Sequence, residues 1–450
     1  MTQERKSSRP QLLQSMIDAF RQTDLRRKML ITLGILVLFR FIAHVPVPGV
    51  NAAAMNNYVT GGSSTGSLIG VLDLFSGGLM RNMSVAALGV YPYITATIIM
   101  QLMVPVIPRL RDLSREGEGG RAKINIYTHW MTVPLAMLQS YSQLVILQRS
   151  SKEIFTNASG VVTHIGLSGA DALPTISMII AMVAGTMFLV WLGELITEYG
   201  IGNGVSLIIF AGIVCTLPKL VGQGALAHNA LGIVLFLALT LVILVTIIIF
   251  TEAQRRIPVQ YARSLYRGGR VYRQSGDTHI PMRVNSAGMI PIIFAMSFLM
   301  MPGLIAGFFS NGSNFASHVV NLFSDKGYFY WTLYFFLVVA LTFFYTTVIF
   351  QQQNLADTLQ KQGAFVPGIR PGKATDQYLS KLNNRLTWGG AIFLGVVTIS
   401  PFIIQKISGI SGNTLQLPAI GMIIVVGVAL DTMRQLEAQL LMRNYEGFLK

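Results

Sequence analysis

Ten apolar runs dominate this sequence, at residues 29–47, 83–105, 126–147, 174–196, 205–222, 230–250, 286–309, 328–350, 386–406 and 417–432. Most match the roughly 20 residues that a helix needs to cross a bilayer. They are continuous rather than alternating, so they read as helices and not as barrel strands, whose lipid-facing and lumen-facing residues would alternate over about ten positions. Only 12% of the residues are charged and 52% are apolar, against about 25% charged in soluble domains. A soluble enzyme is excluded. The predicted fold class is an all-α polytopic membrane protein.

The net charge of +15 is compatible with nucleic acid, anionic lipid or basic inner loops, and the position of the charges separates these. With the N-terminus inside, 27 of the 34 Lys and Arg fall on the inner side, six fall outside, and Arg40 lies within the first run. Insertion alone produces this asymmetry, which weakens the nucleic-acid reading and places both termini in the cytoplasm. The first 28 residues are polar and basic, and no small-residue cleavage site follows, so the first run is expected to be an uncleaved anchor. The single cysteine, Cys215, permits no disulfide within the chain and reads as packing.

Two features depart from a plain bundle. Leu68–Met80 (LIGVLDLFSGGLM) is apolar, too short to span, and broken at Gly77-Gly78. It reads either as a re-entrant half-helix buried in protein or as an interfacial helix on the outer surface. The second feature is a pair of long basic inner loops, 251–283 and 351–385, of the kind that receives a partner.

Catalytic and metal chemistry find no residues to carry them. HExxH, GxSxG and GxxxxGK[ST] are absent, and the six histidines are scattered over different segments. The glycine-rich pieces EGEGGR (116–121) and GIGNG (200–204) read as tight turns. No catalytic residue, metal ligand or cofactor is predicted. Coupled solute transport would need ionisable groups at mid-membrane, and Arg40 is the one clear case, read as a structural donor to loop or half-helix carbonyls in preference to a proton relay. A secondary transporter and a lipid-modifying membrane enzyme remain as alternatives to a gated conduit.

Several segments together resemble the SecY family of bacterial protein translocase channel subunits: VAALGVYPYITATIIMQLM (85–103), GTMFLVWLGELITEYGIGNGVSLIIFAGIV (185–214) and GAFVPGIRPG (363–372). HVPVPGVN, LFSGGLMR, EGEGGRAKI, QRRIPVQYAR and THIPMRVN extend the match over the chain from about Lys28 onward. The resemblance implies ten transmembrane helices in two inverted five-helix halves around a central pore, with a plug half-helix. The implied divisions are a basic segment 1–28, an N-terminal half 29–222 with the plug at 68–80, a C-terminal half 223–432 and a tail 433–450.

It further implies a protein-conducting channel of the general secretory pathway, not an enzyme, in the bacterial inner membrane; a thylakoid is the other possible compartment. Matched motif by motif, the pore ring falls at Val90, Ile94, Val205, Ile209, Ile293 and Ile424, positions that the residues alone would assign to helix packing. Valine where isoleucine is common, at Val90 and Val205, would leave the ring slightly wider. The plug comprises Leu72, Asp73, Leu74, Phe75, Ser76, Gly77 and Gly78. The lateral gate involves Pro92, Thr95, Gln101 and Pro291, with proline expected to kink its helix and polar side chains expected to latch helices together.

Arg370 is the expected contact for the motor SecA and the ribosome, helped by Arg263, Arg267 and Arg270. SLYRGGRVY departs from the commoner family pattern by one inserted residue and by a glycine where a second arginine often sits. Implied partners are SecE and SecG, SecA, the translating ribosome with its RNA, membrane lipids, and unfolded secretory and membrane proteins as substrates.

Overall fold

The computed structural model describes residues 22–51, 54–55, 76–80, 82–150, 155, 165–166, 171–225, 230–261, 264–267, 270–273, 278–309, 322–323, 327–408 and 417–446. Among these, each apolar run is carried by one long helix: α1 (Thr23–Ile42), α2 (Tyr91–Val106), α4 (Glu118–Ser150), α5 (Ala172–Tyr199), α6 (Gly204–Ala225), α7 (Ala230–Glu252), α8 (Ile290–Phe309), α9 (Tyr328–Gln353), α11 (Lys373–Ser408) and α12 (Leu417–Glu446). Two short helices, α3 (Pro108–Arg115) and α10 (Leu355–Lys361), lie between them in the chain. Ala172–Tyr199 and Tyr328–Lys361 are apolar over a full spanning length, and α2 with the start of α3 is so jointly, bent by 103°. Pro108 at the first position of α3 accounts for the break, since it cannot continue the preceding hydrogen-bond ladder.

Helix is the form in which an apolar segment satisfies its own backbone without water, and the interior hydroxyls follow the same logic. Thr128, Thr132, Thr342, Thr387 and Thr398 each donate to the carbonyl four residues earlier, at 2.6–2.9 Å. These five buried hydroxyls are thereby satisfied within their own helix.

The chain forms two compact units, Met1–His228 with Leu304–Val320 and Ser411–Lys450, and Asn229–Gly303 with Asn321–Ile410. In the first, α5 packs against α1, α4 and α6, α2 lies on α4, and α12 lies on α6. The buried face of α5 recurs every three or four residues through Met178, Met182, Gly185, Leu189, Leu192 and Ile196. In the second unit α11 packs against α9 and α7. Phe250 stacks on Phe393 with centroids 4.2 Å apart, and Phe343 meets Trp388 edge-on at 4.8 Å. Large apolar side chains on the outer faces, among them Trp130, Leu173, Leu241, Phe336 and Trp388, are exposed in the isolated chain, as a lipid-facing surface requires.

The two predicted loops are folded rather than irregular. Strand β1 (Gln254–Tyr261) pairs antiparallel with β4 (Thr278–Arg283) on one side and with β5 (Ala364–Phe365) on the other. Between β1 and β4 in the chain, β2 (Ser264–Arg267) and β3 (Arg270–Arg273) form a hairpin. Ile257, Val259, Met282, Leu359, Ala364, Val366 and Leu379 bury a small core beneath the sheet. Both loops therefore belong to one platform with its own core, an addition to the predicted all-α architecture.

Four local expectations are corrected. Span two begins as a helix only at Tyr91: Gly89 is left-handed (φ +59°), and Pro92 falls in the first turn, where its missing N–H breaks no hydrogen bond. Residues 82–90 are instead turns, tied to Pro46 by a bridge at Ser84. Pro291 also sits in the first turn of its helix, after left-handed Gly288 (φ +63°), so it starts α8 and does not kink it. Span nine is the second part of the 36-residue α11, about 54 Å long at 1.5 Å per residue. It extends well beyond a hydrocarbon core of about 30 Å. Finally, Cys215 is exposed on α6 and is not packed inside.

Candidate functional site

Ser76–Met80, the described end of the segment expected to be a half-helix, form a turn. Gly77 and Gly78 are both left-handed (φ +75° and +84°), a conformation that glycine adopts without strain and that turns the chain sharply. A Cβ on Gly77 would lie 2.5 Å from the Cα of Gly212 on α6, so the two backbones touch directly. Arg40, in the last turn of α1, donates through Nη1 to the Gly77 carbonyl at 3.3 Å. This is the structural role expected of Arg40. Beyond the turn, Leu79 and Met80 are fully buried, and Gln143 of α4 donates to the Met80 sulfur at 2.8 Å. Leu72, Asp73, Leu74 and Phe75 lie outside the described residues.

Of the expected pore ring, Val90, Ile94, Val205, Ile209 and Ile424 belong to the first unit and Ile293 to the second. Val90 is the N-cap of α2, Val205 lies in the first turn of α6, and Ile209 follows one turn later. Val90, Ile209, Ile293 and Ile424 are buried, while Ile94 and Val205 are half-buried. Among the gate residues, Thr95 does not reach another helix through its hydroxyl, which donates to the Tyr91 carbonyl at 3.0 Å. Thr97 likewise donates to Tyr93, at 2.9 Å. Pro92 and Pro291 are buried, and Gln101 Oε1 is buried without a hydrogen-bond partner among the described residues.

Arg370 is exposed at the tip between β5 and α11. Its backbone is held firmly: Gly368 and Gly372 are left-handed (φ +82° and +97°), and the Ile369 N–H reaches the Val366 carbonyl at 3.1 Å. The Arg370 carbonyl accepts from the hydroxyl of buried Thr375 at 2.8 Å. Arg267 and Arg270 occupy facing positions at the end of the hairpin register. Arg263 lies outside the described residues.

A polar cluster missed by the sequence reading ties three helices together. His129 Nε2 of α4 lies 2.9 Å from Glu194 Oε1 of α5, and Asn125 donates to the same oxygen at 3.3 Å. Tyr93 of α2 donates to Asn125 at 3.3 Å and meets the His129 ring edge-on at 5.4 Å. The histidine contact lacks hydrogen-bond direction, so it is a close approach of the ring nitrogen to the carboxylate rather than a hydrogen bond. The signal available in the sequence was Glu194, a carboxylate near the end of the apolar run 174–196. Glu194→Ala is expected to cost about 1 kcal/mol, read as a fall of a few degrees in the unfolding midpoint of the purified chain. An unchanged midpoint would mean that the cluster joins nothing.

With this geometry in place, the pattern of the SecY family matches residues 84–433. The chain belongs to the SecY family. It is 40% identical to the protein translocase subunit SecY of Streptomyces scabiei over 447 residues, covering 98% of this chain and 100% of the relative. The SecY subunit of Mycobacterium tuberculosis is 39% identical over 459 residues, with the same coverage. Solved structures share the fold. A protein-conducting channel superposes with a TM-score of 0.59 at 16% identity over 92% of both chains. A SecY structure concerned with the plug domain gives 0.61, again at 16% identity and 92% of both chains. Sec61 in a canine ribosome–channel complex gives 0.55 at 15% identity over 92% of both chains. The ten-helix reading is consistent with this fold.

Proposed function

We propose that this chain is the protein-conducting channel of a general secretory translocase, passing unfolded polypeptides across the membrane and releasing apolar helices sideways into lipid. The observation that carries the reading is the match to protein translocase subunits along 98% of the chain. Val90, Ile94, Val205, Ile209, Ile293 and Ile424 act as the constriction. A ring of aliphatic side chains holds water and ions poorly, yet it has no fixed hydrogen bonds to break when a chain passes. It seals without choosing a sequence. The segment 68–80 serves as the plug, and Pro92, Thr95, Gln101 and Pro291 belong to the lateral gate. Since the hydroxyls of Thr95 and Thr97 bond to their own helix, they do not act as a polar latch.

The platform is the docking surface. Arg370 at its tip, with Arg263, Arg267 and Arg270 on the hairpin segment, receives the motor SecA or the translating ribosome, whose RNA phosphates favour basic groups. One sheet joins both loops, so force applied at the tip reaches α11 and β1 together. Energy comes from these partners, and the chain acts as a conduit rather than a catalyst. SecE and SecG complete the complex, which lies in the bacterial inner membrane with both termini of this chain cytoplasmic.

Single-channel recording in planar bilayers tests the reading, comparing the intact chain with a deletion of residues 68–80. A silent membrane that acquires large, flickering openings on deletion is the expected result. Silence from both, with a solute-dependent flux instead, would replace the conduit by a transporter.

A further inference from the structure

We infer that Arg40 and Gly212 are positioning residues that anchor the Ser76–Met80 turn and thereby keep the resting channel sealed, an inference that rests on the plug reading of residues 68–80. The anchor has three parts, all acting on one turn. First, Gly77 and Gly212 meet backbone to backbone: a Cβ on Gly77 would fall 2.5 Å from the Gly212 Cα, and one on Gly212 would run into the Cα of Gly77. Neither position accepts even a methyl group unless the turn lifts off α6. Close approach of this kind is how small residues hold backbones together where lipid offers no hydrophobic driving force.

Second, the neighbouring Gly78 (φ +84°) faces the next turn of the same helix, where a Cβ would lie 3.0 Å from the Thr216 methyl carbon. The Thr216 hydroxyl is already engaged with the Ile213 carbonyl at 2.8 Å, which turns its methyl group toward the glycine. Two successive residues of the turn are therefore fitted to one face of α6. Third, the Arg40 guanidinium reaches across 37 residues of sequence to the Gly77 carbonyl. A charge on a membrane helix is costly to keep there without purpose, and a charged donor on a neutral carbonyl is among the stronger single hydrogen bonds. Because Leu79 and Met80 are fully buried immediately afterwards, the turn cannot shift along the chain to evade a clash. Losing any one contact therefore frees the turn from α1 or α6 specifically.

The test is the ionic conductance of bilayers containing the purified complex, without substrate, for Arg40→Met, Arg40→Lys and Gly212→Ala beside the deletion of residues 68–80. Loss of one charge-assisted hydrogen bond should raise the open population by about tenfold. Arg40→Met should show that rise, and Arg40→Lys, which keeps a donor, should return most of the way to wild type. Gly212→Ala should leak as well. The double variant should leak no more than the worse single one, since both act on the same turn. Amounts of assembled protein are measured in parallel, and the arginine pair carries the test if Gly212→Ala does not accumulate. Point variants that assemble normally and stay silent beside a leaking deletion overturn the anchor alone. Silence from the deletion as well overturns the plug reading, and the anchor with it.

Discussion

Replacing Arg370 with glutamate is expected to weaken motor binding by at least about 30-fold, the cost of a central charged contact at an interface, and to slow ATP-driven translocation correspondingly. The platform itself should survive. Arg370 is exposed, and what fixes the tip is backbone: two left-handed glycines, the Ile369–Val366 hydrogen bond and the Thr375 hydroxyl on the Arg370 carbonyl. Ile369 packs against the core beneath the sheet, so the loop stays seated whatever residue 370 carries. An exposed substitution of this kind should change stability by no more than about 0.5 kcal/mol. Arg370→Lys should fall between wild type and glutamate, because an ammonium keeps the charge but loses the planar fork. The measurement is precursor uptake into vesicles at several motor concentrations. Uptake by Arg370→Glu equal to wild type would remove the tip from the docking surface.

The membrane helices were legible because each one is written twice, once as an apolar run and once through the charges that flank it. The run 230–250 is the plainest case and became α7 with a shift of at most two residues. The platform was not legible in the same way. Arg255 and Arg256 carry charges in a polar loop, and only the buried Ile257 and Val259 on either side of exposed Pro258 carry a strand period, over too few residues to stand out. The pairing that joins the two loops into one sheet links residues more than 100 apart, Tyr261 with Ala364, which no local pattern encodes. The segment 68–80 showed a similar split. Its break at Gly77-Gly78 was readable, whereas Gly212 looked like one more glycine in an apolar run until the structure set it against Gly77. Thr95 and Thr97 show a limit of a different sort. Their side chains are polar and the family resemblance assigns them to a gate, but geometry spends their hydroxyls on their own helix.

The largest structural effect is expected at the tight turn that joins α5 to α6. Gly204→Val should abolish accumulation of the chain in the membrane. A Cβ at Gly204 would run into the Gly193 carbonyl oxygen and lie 2.7 Å from its carbon and 2.8 Å from the Ile196 Cβ. These are backbone and branched side-chain atoms that cannot swing aside. The same site carries a relay, in which the Gly204 N–H donates to the Thr197 hydroxyl at 2.9 Å and that hydroxyl donates to the Gly193 carbonyl at 2.9 Å. Forcing the helices apart would break both links. It would also disturb the fit of Ile201, whose N–H reaches Thr32 of α1 at 3.2 Å. Overpacking combined with the loss of buried hydrogen bonds belongs to the class of changes that cost about 4 kcal/mol or more, a large part of a typical total stability. Gly34→Ala on α1 is the matched control, because nothing lies within 4 Å of the added carbon. Alanine there should be neutral or gain about 0.5–1 kcal/mol from the stiffer helix. Membrane yield and unfolding midpoint of the two variants, measured side by side, decide the matter. Normal accumulation of Gly204→Val would mean that α5 and α6 do not close on each other as tightly as their glycines allow.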